Sequence, residues 1–505
     1  MSDSQPSVTP LPNGLAASLV FLSSGAVLVL ETVSLRLVGP YVGTTLQVTS
    51  SVIGVALSAI AYGAWFGGWL ADRRNPRDLI APALVLAGIA TAVTLPLVRY
   101  AGEVLRGEAA VGILLLTALA VFPPAALLSA VTPLVVKLQL ADLRRTGRVV
   151  GRLSSIGTLG GITATLGTGF VLVAALPSSV IMIGLSVLLG ATGLALGRHL
   201  RQRTLVLPLR RRTNAVVALV GLSGASVATV APTPCDVETA YHCAAVVSDP
   251  DRPTGRLLLL NSARHSYVDL ADPTHLEFAY TRWISAVADL MAPEGAALDA
   301  LHLGGGGFTI PRYLTATRPG TRNTVFEIDG GLVELARREL DVRPGPELRP
   351  VVGDARVLVR GMESDSVDLV VGDAFGHLVV PWHLATREMV AEIRRVVRPG
   401  GVYVQNVIDY PPLRFVRAEL ATVAAEFGHV ALIAPSAALR GETGANFLIV
   451  ASDVSLALDP LRARLDSVSP DPVVLLAGAA LGEFVNGAPV LTDDFAPVDQ
   501  LLAGG

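Results

Sequence analysis

The chain has 505 residues, of which 51% are hydrophobic and only 16% are charged, and its mean hydropathy is +0.56. A fully soluble protein of this length rarely has such a composition, so we expect part of the chain to lie in lipid. The formal net charge of −3 gives no indication of nucleic-acid binding.

Long apolar runs dominate the first half of the chain. We predict an N-terminal tail over 1–14 and an α-helical multi-pass membrane domain over 15–232. A helix that spans a bilayer needs roughly 20 apolar residues. About seven runs approach or exceed that length, at 15–38, 48–70, 79–99, 110–136, 153–176, 178–197 and 215–231.

The arginines of this domain predict its orientation. They gather in the second, fourth and sixth loops, around Arg73, Arg148 and Arg201, and basic loops stay in the cytoplasm. Seven crossings would therefore place everything after 232 outside the cell, whereas six would keep it inside. The last run, 215–231, is the shortest, so the sequence leaves the side of the soluble part open. We expect a multi-pass protein of the cell membrane, with the lipid bilayer as a partner.

A small β-strand domain with a helix is predicted over 235–293. It begins with the only cysteines, Cys235 and Cys243. A local disulfide and two free thiols both fit this spacing, and a disulfide would imply an oxidising compartment. No four-ligand metal pattern is visible, so we expect no metal. The predicted elements are strands near 241–247, 256–261 and 266–268 and an amphipathic helix near 276–291.

From 294 to 505 the pattern alternates between short apolar strands and amphipathic helices. Such alternation is typical of an α/β doubly wound, Rossmann-like sheet whose strands are mostly parallel. Ligands of these sheets bind outside the carboxyl ends of the strands. Residues at strand ends are therefore the strongest candidates for a functional site.

A glycine run follows the first strand of this domain, at Gly304–Gly307, and Glu327 ends the next strand 23 residues after Gly304. Glycines let a backbone approach a nucleotide closely, and an acid at the second strand end can accept the ribose hydroxyls. Further acids follow successive strands at Asp329, Asp354 and Asp373. One such acid is often a helix cap or a turn residue. Several behind one glycine loop favour a nucleotide-type site.

These motifs resemble the spermidine synthase family of polyamine aminopropyltransferases, which are relatives of the S-adenosylmethionine methyltransferases. With its membrane half, the chain resembles the membrane-fused spermidine synthase-like proteins. The resemblance covers about 238–450, with further matching residues at 491–499. It rests on the glycine loop, on Glu-Ile-Asp at 327–329, on Gly-Asp-Ala at 353–355 and on the strand end at Asp373.

The resemblance implies a role for each matching residue. Glu327 would hold the ribose diol of decarboxylated S-adenosylmethionine, and Asp354 would face the adenine amine with Ala355 beside it. Asp373 would orient and deprotonate the attacking amine, assisted by Tyr280. A carboxylate within hydrogen-bonding reach can perform that proton transfer. The expected cosubstrate-binding residues are Gly304, Gly305, Gly306, Glu327, Asp329, Asp354 and Ala355, and the expected catalytic residues are Asp373 and Tyr280.

The sequence departs from the spermidine synthases at three places. Gly307 stands where they carry an aspartate, Ala374-Phe375 replaces the polar run after the catalytic acid, and His265 stands where they carry a glutamine. His377 and His383 lie near Asp373, and either could replace it as base, although a lone histidine is more often structural.

The leading hypothesis is therefore a membrane-anchored transferase that moves an aminopropyl group from decarboxylated S-adenosylmethionine to a small-molecule amine. One alternative is a methyltransferase that uses S-adenosylmethionine. Another is a transporter or sensor with a degenerate nucleoside- or polyamine-binding domain. We expect no nucleic-acid partner, and a second copy of the chain as partner in a homodimer.

Overall fold

The computed structural model describes residues 10–43, 45–105, 110–140, 143–201, 234–376 and 379–502. The chain divides into two compact units, Met1–Pro234 and Cys235–Gly505. The first contains the long apolar helices and is called the membrane unit for that reason, and the second contains both sheets and is called the soluble unit.

Among the described residues of the first unit, six helices are long and apolar enough to cross a membrane. They are Asn13–Val42, Leu46–Arg73, Pro76–Val104, Val111–Gln139, Thr146–Ala175 and Ser178–Leu200. The fifth contains a π-helical turn at Thr168–Leu172. The seventh predicted run, 215–231, lies outside the described residues.

The helices of this unit pack through small residues, as expected in lipid. A Cβ atom added to Gly63 would lie 2.2 Å from the carbonyl oxygen of Ala126, so the second and fourth helices touch backbone to backbone. Several buried hydroxyls bond within their own helix. Thr91 Oγ1 donates to the carbonyl of Ala87 at 2.8 Å, and Thr117 Oγ1 donates to that of Ile113 at 2.7 Å.

The second unit begins with a four-stranded antiparallel sheet in the order β1-β2-β3-β4. A disulfide joins Cys235 to Cys243 and closes the loop that contains β1. The helix Ala279–Met291 follows the sheet and buries one face. The strands are β1 (Val237–Glu238), β2 (Cys243–Ser248), β3 (Gly255–Leu260) and β4 (Ala263–Asp269).

An eight-stranded sheet forms the rest of the unit, in the order β12-β10-β11-β9-β8-β5-β6-β7. Its strands are β5 (Asp299–Leu303), β6 (Arg322–Glu327), β7 (Leu348–Val352), β8 (Val367–Gly372), β9 (Val397–Asp409), β10 (His429–Pro435), β11 (Ala445–Ser452) and β12 (Val473–Ala477). The pairings from β7 to β9 are parallel, and β10, β11 and β12 add antiparallel pairings at one side. The sheet is thus Rossmann-like with an antiparallel extension, and the predicted fold class is confirmed.

Helices cover both faces of the large sheet. Leu301 of β5 belongs to the core on one face, whereas its neighbour Ala300 belongs to the core on the other. Burial on both faces explains why the central strands have nearly continuous apolar sequences. The helices are Thr309–Thr317, Gly330–Glu339, Ala355–Arg360, Arg387–Val396, Arg414–Ala424, Ser436–Leu439, Leu458–Val468, Gly478–Val485 and Val498–Leu502, with a 3-10 turn at Trp382–Leu384.

Candidate active site

A cavity of about 500 Å³ lies at the carboxyl ends of β5, β6, β7 and β8. This is the edge at which ligands of doubly wound sheets bind. The structure brings most of the predicted residues together here. The predicted residues that line the cavity are Gly304, Gly305, Gly306, Glu327, Asp354, Ala355, Asp373 and Tyr280.

The glycine loop crosses the end of β8 at close range. Gly304 has a left-handed backbone (φ 96°), and a Cβ atom there would lie 2.5 Å from the carbonyl oxygen of Asp373. A side chain at this position would therefore force β5 and β8 apart. Glycine is required because the loop lies directly against the neighbouring strand end.

Glu327 is buried at the end of β6, and backbone amides fix its carboxylate. Its Oε2 accepts hydrogen bonds from the amides of Gly305 at 2.8 Å and Gly306 at 3.3 Å. Its Oε1 accepts one from the amide of Asp329 at 2.9 Å. The carboxylate is thereby held against the glycine loop at the wall of the cavity, where a ribose diol could donate to its remaining lone pairs.

Asp329 is fully buried and does not line the cavity. Its carboxylate caps the helix Gly330–Glu339 and also accepts a hydrogen bond from the Thr239 hydroxyl. Its Oδ2 lies 3.0 Å from Nδ1 of His242. Burial alone would raise the pKa of Asp329, but the hydrogen bonds from His242 and Thr239 hold that pKa below its usual value. The described contacts of Asp329 therefore connect the small sheet to the end of β6.

His242 also lines the cavity and was not among the predicted site residues. Its position follows from the loop between Cys235 and Cys243, which carries Thr239 and His242 to Asp329. The only local indication in the sequence was that His242 precedes a cysteine. That position predicts a metal ligand as readily as a residue of the cavity wall.

Asp354 and Ala355 form the wall at the end of β7. Asp354 caps the short helix Ala355–Arg360 by accepting a hydrogen bond from the Arg356 amide at 2.8 Å. Its other carboxylate oxygen lies 3.3 Å from Nε2 of His383. His383 therefore lies beside Asp354, whereas the side-chain donors described for Asp373 are Tyr280 and Asn406. His377 lies outside the described residues.

Asp373 follows β8 and is held by two neutral donors. The Tyr280 hydroxyl donates to its Oδ2 at 3.2 Å, and the Asn406 side chain donates to its Oδ1 at 2.8 Å. Burial raises the pKa of Asp373 to about 6, although both hydrogen bonds act to lower it. Burial also raises the pKa of Tyr280 well above 10, and the neighbouring Asp373 charge adds to that effect. The pair is therefore a carboxylate base beside a neutral phenol at neutral pH.

Asn406 and Asn446 line the same end of the cavity and were not predicted. Asn446, on β11, donates to the Asn406 side-chain oxygen at 3.0 Å, so a chain of hydrogen bonds runs from β11 through β9 to Asp373. The sequence did contain one indication, since each of these apolar strands includes an asparagine. A buried side-chain amide needs hydrogen-bond partners, so it marks a position where polar groups meet.

Ser266 explains the glycine at 307. The Gly307 amide donates to Ser266 Oγ at 3.0 Å, and a Cβ atom at 307 would lie 2.8 Å from Ser266 Cβ. The aspartate that the resemblance leads us to expect at 307 could not be accommodated without moving β4. The described residues contain no group of three or more histidine, cysteine or acidic residues that could hold a metal.

Comparisons with known proteins find similarities over part of the chain. A family model described as a methyltransferase domain matches residues 301–405. The polyamine aminopropyltransferase of Vibrio vulnificus is 30% identical over 134 residues, which are 26% of this chain and 44% of that protein. The match thus spans less than half the length of this curated relative.

The solved structures that are similar to the chain include two spermidine synthases. A probable spermidine synthase from Corynebacterium glutamicum is 29% identical with a TM-score of 0.49, covering 51% of this chain and 95% of its own. The spermidine synthase from Thermotoga maritima is 16% identical with a TM-score of 0.34, and the match covers 52% of this chain and 84% of that protein. Over part of its length the chain is thus similar to a polyamine aminopropyltransferase, and residues 301–405 match a methyltransferase domain.

Proposed function

We propose that the soluble unit is a transferase that moves an aminopropyl group from decarboxylated S-adenosylmethionine to a small-molecule amine, and that the apolar helices anchor it in a membrane. The amine nitrogen would attack the carbon next to the sulfonium. A C–N bond forms, the C–S bond breaks with its electron pair going to sulfur, and methylthioadenosine leaves. Before the attack, the ammonium form of the acceptor gives one proton to the enzyme, so that the neutral amine is the nucleophile.

The observation that carries this proposal is the environment of Asp373. It is a buried carboxylate with a pKa of about 6, placed at a strand end in contact with the glycine loop. Tyr280 and Asn406 donate to its two oxygens and fix the plane of the carboxylate. At neutral pH it is ionised, so it can attract an ammonium group and accept its proton.

The nucleoside would occupy the other end of the cavity. Glu327, oriented by the loop amides, is suited to the ribose diol, and Asp354 with Ala355 is suited to the adenine edge. Substitution next to a sulfonium needs little covalent assistance, because the leaving group is already activated. Holding the amine and the sulfonium carbon in line therefore supplies most of the rate enhancement.

The test uses the full chain in detergent micelles. We expect calorimetry to detect binding of methylthioadenosine and of decarboxylated S-adenosylmethionine, and mass spectrometry to detect an aminopropylated product from a panel of mono- and diamines. Nucleoside binding without any amine product would contradict aminopropyl transfer. It would instead favour the methyltransferase or the sensor hypothesis.

A second candidate is methyl transfer from S-adenosylmethionine. The exclusion of an acid at 307 by Ser266 favours it, because a donor that keeps its carboxylate would then meet less negative charge. The two functions differ in the preferred donor. Tighter binding of S-adenosylmethionine than of its decarboxylated form, together with a methylated product, would decide for the methyltransferase.

A further inference from the structure

A largely buried arginine next to the cavity pairs with a more exposed acid of the C-terminal segment. The side chain of Arg356 is 11% exposed. Its guanidinium donates to the carbonyl oxygen of His383 at 2.6 Å, to Thr386 Oγ1 at 2.8 Å and to the carboxylate of Asp493. Thr386 Oγ1 in turn donates to Asp493 Oδ1 at 2.8 Å. We call Arg356, Thr386 and Asp493 the C-terminal clamp.

The clamp joins two pieces of chain that both form the nucleoside end of the cavity. Arg356 lies in the helix whose start provides Asp354 and Ala355. Thr386 ends the connection 381–386, which provides Pro381, His383 and Leu384 to the same wall. The 3.3 Å approach of His383 to Asp354 spans these two pieces. Their relative position therefore determines the shape of that wall.

Main-chain contacts hold Asp493 in place. Its amide donates to Glu388 Oε2 at 3.0 Å. Two residues earlier, the carbonyl oxygen of Leu491 accepts a hydrogen bond from the Arg387 amide at 2.8 Å. The Leu491 amide donates one to Thr422 Oγ1, also at 2.8 Å. The carboxylate therefore meets Arg356 because the fold places it there. Asp493 itself does not line the cavity.

We propose that Asp493 is a positioning residue for the nucleoside end of the site, acting through Arg356 and Thr386. This inference rests on the proposed function. A buried guanidinium without a counter-charge is costly, so loss of the Asp493 carboxylate would drive Arg356 toward water. Arg356 would then release the His383 carbonyl and the Thr386 hydroxyl. The connection 381–386 would loosen, while the contacts of Asp373 with Tyr280 and Asn406 would stay intact.

The proposal predicts a separation of two kinetic parameters. In the full chain, Asp493→Ala should raise the KM for the sulfonium donor about tenfold and weaken methylthioadenosine binding by a similar factor, as expected for residues that share one network. The kcat at saturating donor should change by less than about twofold, because the reacting groups are untouched. Hydrogen exchange of the amides in 381–386 should also become faster.

Two further variants keep the test decisive. Thr386→Val preserves shape and removes clamp hydrogen bonds, so it should raise the same KM even if Asp493→Ala does not fold. Asp494→Asn changes the exposed neighbouring acid and should leave KM, kcat and hydrogen exchange as in the wild type. The proposal would be wrong if folded Asp493→Ala and Thr386→Val both kept the wild-type KM for the donor. It would also be wrong if kcat fell by as large a factor as the KM rose. Failure of the wild type itself to bind any nucleoside would overturn the proposed function as well.

Discussion

Two buried threonines of the membrane unit and the site residues of the soluble unit form their hydrogen bonds over very different distances along the chain. In the membrane unit, Thr91 and Thr117 each bond to a carbonyl four residues earlier in the same helix. In the soluble unit, Asp373 bonds to Tyr280, 93 residues away, and Arg356 bonds to Asp493, 137 residues away. Local bonds stabilise a helix wherever it lies. Long-range bonds fix separate strand ends relative to one another, which is the requirement of a site.

This contrast predicts that polar substitutions have large functional effects at the site of the soluble unit and small ones at a hydroxyl of the membrane unit that bonds within its own helix. We expect the largest effect from Asp373→Asn, which keeps the shape of the side chain and removes the base. Loss of a general base typically lowers a rate by about 10²–10⁴-fold. Product formation measured by mass spectrometry should fall by that factor while methylthioadenosine binding persists. A normal rate in Asp373→Asn beside an inactive His383→Gln would assign the base to the histidine.

The next largest effect is expected at the ribose end. Glu327→Gln removes the charge that strengthens a hydrogen bond to the diol, a loss of about 1.5–3 kcal/mol, or roughly 10- to 150-fold in affinity. Calorimetry with methylthioadenosine measures it directly. Glu334→Gln, an exposed acid on the following helix, is the matched control. Equal affinity of Glu327→Gln and wild type would exclude the ribose role.

A smaller effect concerns the pH dependence of kcat. Asp373 must be ionised to act, so turnover should fall below about pH 6, where its buried carboxylate gains a proton. The hydrogen bond from Asn406 lowers that pKa, hence Asn406→Leu should move the acid limb upward by about one to two pH units. His383→Gln should leave the limb in place. A limb that moves downward in Asn406→Leu would contradict the assignment to Asp373.

The smallest effect is expected in the membrane unit. Thr117→Val removes a hydroxyl whose described hydrogen bond goes to the carbonyl of Ile113, four residues earlier. Hydrogen bonds inside membrane proteins contribute about 0.6 kcal/mol on average. Thermal unfolding in detergent should shift slightly, and turnover should stay at the wild-type level. A loss of turnover in Thr117→Val would break the contrast between the two units.

The strand ends of the site could be predicted from the sequence because each depends on a short, local pattern. The glycine loop, Glu327, Asp354 and Asp373 each follow an apolar run, and parallel strands bring such ends together. The hydrogen-bond partners could not be predicted in the same way. Asn406 reaches Asp373 from β9 and is itself held from β11, and these contacts depend on strand order and register.

Asp329 shows that a place after a strand does not by itself identify a ligand-binding acid. Its position two residues after Glu327 made it an equal candidate for the ligand site. In the structure its side chain turns to cap the next helix and to bond to Thr239. Both roles suit an acid after a strand, and the sequence pattern is the same for each. The two roles are distinguished by the position of the loop between β1 and β2, which brings Thr239 and His242 to Asp329.

The burial of Asp373 also has a thermodynamic consequence for the fold. Its pKa rises from 3.8 to about 6 in the native state, so at pH 7 the ionised carboxylate destabilises the soluble unit by roughly 3 kcal/mol relative to the unfolded chain. The cost is absent below about pH 4, grows between about pH 4 and 6, and stays constant above. Asp373→Asn should therefore melt at a higher temperature than the wild type at pH 7 and at a similar temperature near pH 4. The most reactive carboxylate of the site is, on this account, also a weak point of its stability.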